Sequence, residues 1–177
     1  MRGHCFVNGV EKNVKCAYVG VNGKAQYIKR PPGVIKLGHD IEKLSTARYN
    51  LAAGDVNDCA LFGGGSGSEG VSSTVDAYTH NLVKTTAANL SEAREALVAK
   101  GGHREYVLFG GGVNKNYSRT ATVDAYDRYL TRTTATDLSE GKSYPLATTV
   151  GNYALFGGGS NDYNDSTATV DAYYVWE

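Results

Sequence analysis

The run "ALFGGG" at 60–65 returns as "VLFGGG" at 107–112 and as "ALFGGG" at 154–159, so its first glycine steps from Gly63 to Gly110 to Gly157. The run "TVDAY" follows each time, at 74–78, 122–126 and 169–173, and "LSTAR" at 44–48 returns as "LSEAR" at 90–94 and "LSEGK" at 138–142. A chain that repeats itself over such an interval folds as equivalent units, each burying its apolar faces against its neighbour.

Each unit divides into four short β-rich runs, about 47–55, 58–63, 73–79 and 81–87 in the first copy. The second copy supplies "REALVAK", "REYVLFG", "TATVDAY" and "YLTRTTA". Four strands per unit at a period in the forties is the signature of a β-propeller blade, and the expected class is all-β. One stretch argues locally for something else. "NLSEAREALVAK" at 89–100 reads alone as a capped amphipathic helix, but its counterpart "LSEGKSYPLATTV" carries Pro145 in its middle, so a strand is expected there too.

The repeat also decides the meaning of Gly65-Ser66-Gly67-Ser68-Glu69-Gly70, which fits a dinucleotide-binding fingerprint. That fingerprint needs a helix starting at its last glycine, whereas the β-rich TVDAY run follows, and the other copies read "GGGVNKNY" and "GGGSNDYN". The glycines are expected to let neighbouring backbone pass closely at a strand end.

A strand ending in a glycine cluster, a variable loop, a strand with tyrosine, a fourth strand and a small-x-x-Arg corner together resemble kelch repeats, over roughly residues 35–177. Kelch units usually carry tryptophan in the fourth strand, where these copies have threonine in "KTTA" and "RTTA". The resemblance implies about three four-stranded kelch-like blades in a domain spanning 34–177.

The third copy ends "YVWE" after its TVDAY, while "VIKLGHDIEKLS" at 34–45 aligns with the fourth strands of the other copies. Three blades fall below the four to eight of known rings. The expectation is a homo-oligomer in which two chains make a six-blade ring, each donating its 34–42 strand to the other's last blade.

Residues 1–33 form a separate segment. "VNGVEKNVK" and "VNGKAQYIK" repeat each other, each with Asn-Gly between β-formers, which predicts β-hairpins; Pro31-Pro32-Gly33 predicts a linker. The wording of this segment and of the blades resembles tail-associated structural proteins of bacteriophages and prophages of Gram-positive bacteria. That resemblance implies a virion component in which the hairpins attach the propeller to a larger assembly.

The 18 basic and 18 acidic residues cancel, so no net field draws the chain to nucleic acid or an anionic membrane. No segment has the apolar length of a membrane span, and the N-terminus has no signal-peptide core, so neither membrane insertion nor secretion by a cleaved signal is expected. Cys5, Cys16 and Cys59 form no C-x-x-C pair, which predicts free thiols and no structural zinc.

Two residue sets are candidates for binding. Arg48, Arg94 and Lys142 share one repeat position, so they either ring a channel mouth as an anion or acidic-sugar site or pair with Asp76, Asp124 and Asp171; the matched counts favour pairing. The loops after the glycines vary most, and Asn114, Asn116, Tyr117, Asn161, Asp162, Tyr163 and Asn164 combine amides with aromatics, the chemistry that bonds hydroxyls and stacks on sugars. Asp162, Asn164 and Asp165 suggest calcium until the twelfth position is reached, where Tyr173 stands instead of a bidentate Glu. Neither a metal nor any other cofactor is expected. Tyr78, Tyr126 and Tyr173 recur identically and are expected in packing.

The expected function is a non-enzymatic structural and binding module of a phage or prophage particle, contacting a host-surface glycan or another virion protein. The alternatives are an intracellular kelch-type adaptor and a sugar-active kelch enzyme such as a mutarotase.

Overall fold

A computed structural model describes residues 3–7, 10–14, 17–21, 24–28, 41–102 and 105–175. The chain divides into two compact units, Met1–Asp40 and Ile41–Glu177. In the first, β1 (Gly3–Val7) pairs antiparallel with β2 (Val10–Val14), and β3 (Ala17–Val21) with β4 (Lys24–Ile28). These are the two hairpins that the Asn-Gly pairs predict. The predicted linker at 31–33 and the predicted strand at 34–42, apart from its last two residues, lie outside the described residues.

The second unit is all-β, with no helix among the described residues. Its first sheet runs β5 (Ala52–Val56), β6 (Cys59–Gly63), β9 (Val75–Thr79) and β10 (Lys84–Thr86), with a two-residue pair β7 (Ser66–Gly67) and β8 (Gly70–Val71) inside the loop after the glycines. The second repeats the order as β12 (Val98–Gly102), β13 (Tyr106–Gly110), β15 (Val123–Asp127) and β16 (Arg132–Thr134). Beside it, β11 (Arg94–Glu95) pairs with β14 (Val113–Asn114). The third sheet has three strands among the described residues, β17 (Leu146–Val150), β18 (Tyr153–Gly157) and β19 (Val170–Tyr174). All pairings are antiparallel.

The predicted first strand began too early. Arg48 to Leu51 form a corner rather than a strand, because Tyr49 bridges to Ser66 and Asn50 adopts φ 53°, which no extended strand allows. Ala96 and Tyr144 take the same left-handed conformation at the equivalent positions. The helix-like run at 89–100 is strand and corner, as its counterparts require.

The repeated apolar run explains the packing. Successive residues of a strand point to opposite faces, so in "ALFG" the leucine serves one face and the phenylalanine the other. The forward face of each sheet carries Leu61, Val75 and Ala77, then Leu108, Val123 and Ala125, then Leu155, Val170 and Ala172. The rear face carries Phe62, then Phe109, then Phe156, each edge-to-face with Tyr78, Tyr126 or Tyr173. These tyrosines pack as predicted. The forward face of the first sheet packs on the rear of the second, joining Leu61, Val75 and Ala77 with Val107, Phe109 and Tyr126. The forward face of the second packs on the rear of the third, joining Leu108, Val123 and Ala125 with Ala154 and Phe156. Strands that must cover both faces read as continuous apolar runs, which is why alternation is weak here.

The glycines permit this approach. The Phe109 ring comes within 2.8 Å of where a Cβ on Gly63 would stand, and the Phe156 ring within 3.0 Å of that on Gly110.

Candidate functional site

The cationic position is the most regular feature of the site region. Arg48 donates to the carbonyls of Gly64 (3.0 Å) and Thr74 (2.6 Å) and pairs with Asp76 at 2.5 Å. Arg94 donates to the carbonyls of Phe109, Gly111 and Thr122 and pairs with Asp124 at 2.5 Å. Lys142 reaches Asp171 at 2.9 Å and the Thr169 hydroxyl at 2.8 Å. The serine of each LS-x-x-R/K corner donates its backbone N–H to the same aspartate, from Ser45, Ser91 and Ser139. Each corner is thus pinned to its sheet by one carboxylate.

The arginines and the lysine are therefore committed inward. Arg94 and Lys142 have no side-chain exposure and Arg48 has 1%, so the charges face carboxylates and carbonyls rather than a channel mouth. This is the pairing that the matched counts favour. Burial works against ionisation of Asp76, but hydrogen bonds from Ser45 and Lys84 and the charge of Arg48 outweigh it and hold the carboxyl below its usual range. At Asp171 burial is likewise outweighed, by Lys142 and Ser139. Burial also lowers the affinity of Arg94 for its proton, against the pull of Asp124.

The variable loops behave differently. The Asn114 side-chain oxygen accepts the N–H groups of Asn116 and Ser118, and the Asn161 oxygen accepts those of Tyr163 and Asp165. Both are asparagine-led turns, with Tyr117 and Asn164 at φ 63° closing them. Arg119 joins the two loops, its N–H donating to Asp162 at 2.8 Å and its guanidinium to Asn164 at 2.5 Å. Of the seven candidates in these loops, Asn114 and Asn161 therefore build the turns, Asp162 and Asn164 tie the loops together, and Asn116 is exposed. Tyr117 and Tyr163 project into solvent with 84% exposure each.

Sequence reasoning missed Arg119, and it missed a polar cluster at the corners. The Asn50 amide donates to Glu95 at 3.0 Å and to the Tyr144 hydroxyl at 3.4 Å, joining all three units at one end. The signal was the position two residues after each Arg or Lys, but Asn50, Ala96 and Tyr144 share no chemistry that would mark it. The first loop frames a cavity of about 330 Å³ between the 46–48 corner and residues 67–72. Among the described residues no group of three or more His, Cys, Asp and Glu is placed to hold a metal ion.

No protein-family model matches the chain, and no curated protein matches it significantly. Solved structures do resemble it. One, described as the structure of YjhT, superimposes with a TM-score of 0.63 at 17% identity, over 73% of this chain and 43% of that one. A likeness at that identity is a likeness of fold. This chain spans less than half of the length of that protein.

Proposed function

We propose that the chain is a non-enzymatic binding module made of kelch-like propeller blades and carried on a phage or prophage particle. Its loops at the glycine end contact a host-surface glycan or another particle protein. The observation that carries this reading is the pair of exposed tyrosines, Tyr117 and Tyr163, on loops that are braced internally by asparagine turns and to each other by Arg119. Aromatic side chains held out on pre-ordered loops lose little conformational freedom on binding, and their faces stack on sugar rings. The resemblance of nearly the whole chain to tail-associated structural proteins supports the location on a particle.

The test has two parts. Antibody detection of the chain in purified particles asks where it resides, and binding of purified chain to cell-wall glycans asks what it contacts. The Tyr117→Ala and Tyr163→Ala variants are expected to lose glycan binding while keeping their melting temperature. A chain absent from every particle fraction that binds no cell-wall glycan overturns the reading; cytosolic capture of one protein partner through these loops would replace it with an adaptor role.

A further inference from the structure

The two internal junctions define what is missing at the ends of the array. At each junction a forward face of leucine, valine and alanine is covered by the rear-face phenylalanine of the next sheet. The third sheet carries the same forward face uncovered. Val170 is 63% exposed where Val123 is 0%, and Leu146 is 79% exposed where its counterpart Ala52 is 5%. The first sheet carries the complementary rear face uncovered, with Ala53 and Ala60 exposed where Ala99 and Val107 are buried.

Three further features pair off in the same sense. Phe109 lies on Gly63 and Phe156 on Gly110, but a Cβ on Gly157 would meet only Val170 and Thr169, and Phe62 is the phenylalanine left over. The N–H of Gly65 donates to the Arg94 carbonyl and that of Gly112 to the Lys142 carbonyl; the corresponding pair is the N–H of Gly159 and the carbonyl of Arg48, which lack this bond among the described residues. The N–H of Ala96 donates to the Asn50 carbonyl and that of Tyr144 to the Ala96 carbonyl; the corresponding pair is the N–H of Asn50 and the carbonyl of Tyr144, which lack this bond among the described residues. Among the described residues, each of these unfilled groups at one end has its counterpart at the other.

We infer that the forward face of the third sheet is a docking surface for the rear face of the first sheet of a second copy of this chain, with Phe62 of the partner subunit seated on Gly157. The contact is heterologous, so it propagates until it closes. In a ring built from copies of these three sheets, two copies give six sheets, within the four to eight blades of known propellers, with the two junctions related by a two-fold axis. That count rests on the propeller reading above; the pairing of faces does not.

The test is the mass of the full chain in solution, by sedimentation from micromolar to near-millimolar concentration. The expected mass is twice the 18.9 kDa of one chain. Val170→Asp on the forward face and Ala60→Asp on the rear face are each expected to give single chains that keep the parent's strand content by circular dichroism. Gly157→Ala, which fills the cradle, is expected to weaken association by roughly tenfold or more, the effect of losing about 1.4 kcal/mol. Mixing the Val170→Asp and Ala60→Asp chains should restore a two-chain species, because one of its two junctions then has both faces intact. A parent that stays a single chain throughout, or a pair insensitive to all three substitutions, overturns the docking surface. A parent that forms open chains sensitive to the same substitutions keeps the surface and overturns the six-sheet ring. Neither result bears on glycan binding by Tyr117 and Tyr163, so failure here is distinct from failure of the proposed function.

Discussion

Arg94 lays its guanidinium against the Asp124 carboxylate with neither side chain exposed, and the same guanidinium caps carbonyls of Phe109, Gly111 and Thr122. Removing one member of such a pair leaves a buried charge and bare carbonyls, which typically costs 3–5 kcal/mol, so Arg94→Ala should lower stability by about that much. The third unit suggests the converse experiment. Lys142 holds Asp171 and Thr169 through one ammonium, and an arginine there has donors to spare for the neighbouring carbonyls. Lys142→Arg should raise stability by about 1 kcal/mol, the net worth of an added hydrogen bond. Urea denaturation of the three proteins checks both, and a Lys142→Arg chain weaker than the parent would refute the second.

The carboxylates set the acid limit of the fold. Asp76 and Asp171 are held below their ordinary value of 3.8 in the folded chain, so they release protons more readily there than when unfolded. Their contribution is fully present above about pH 4 and is lost as the pH falls through the folded values. Tyr173 sets an alkaline limit by the opposite sign. Burial and the charge of Asp171 push its hydroxyl up to about 12, so its contribution holds below pH 10 and is lost as the pH rises toward 12. Melting temperatures across both ranges should show the two declines, and Asp171→Asn should shrink the acid one.

Glycine substitutions should separate close approach from mere turn geometry. Gly112 has φ 112°, and a Cβ there would stand 2.7 Å from the carbonyl oxygen of Glu95. Gly151 has φ 53° with nothing within 4 Å. Gly151→Ala should cost about 1–2 kcal/mol, the penalty of the left-handed conformation alone. Gly112→Ala should cost clearly more, because the backbone of its own unit's corner, at Glu95 and Leu97, must move. Equal losses in thermal melts would argue against this contact.

Arg119 should matter to the loops and little to the core. Its amide and guanidinium hold Asp162 and Asn164. Arg119→Ala, which removes the bond to Asn164 and keeps the backbone one to Asp162, is expected to speed protease cleavage within 160–166 while leaving the free energy of global unfolding within about 0.5 kcal/mol, as for an ordinary surface change. A large loss of global stability would show that the bridge belongs to the core.

Much of this could be read from the sequence because repetition multiplies weak signals. Gly63, Gly110 and Gly157 located three strand ends, and equal numbers of cations and aspartates at fixed positions pointed to the pairs with Asp76, Asp124 and Asp171. The run at 89–100 reads as strand only through its counterparts, since its own pattern suits a helix, and strand fills 94–95 and 98–100 of it with the corner between them. What stayed hidden depends on neighbours rather than on residue type. Nothing in the letters distinguishes Val170 from Val123, though one is exposed and the other buried. The left-handed corner escaped for a related reason: Asn50, Ala96 and Tyr144 hold it through backbone bonds that any side chain tolerates at some cost.

The second sheet is covered on both faces and its neighbours on one. In an array whose sheets pack only on those beside them, stability adds up largely link by link, so the members do not melt alike. Amide hydrogens of β13 and β15 should exchange last, through opening of the whole array. Those of β18 and β19 should exchange through fraying of one end, at a cost set by a single junction. A protein of this kind is therefore a short one-dimensional cooperative lattice, and its weakest link is the place where a neighbour would be added.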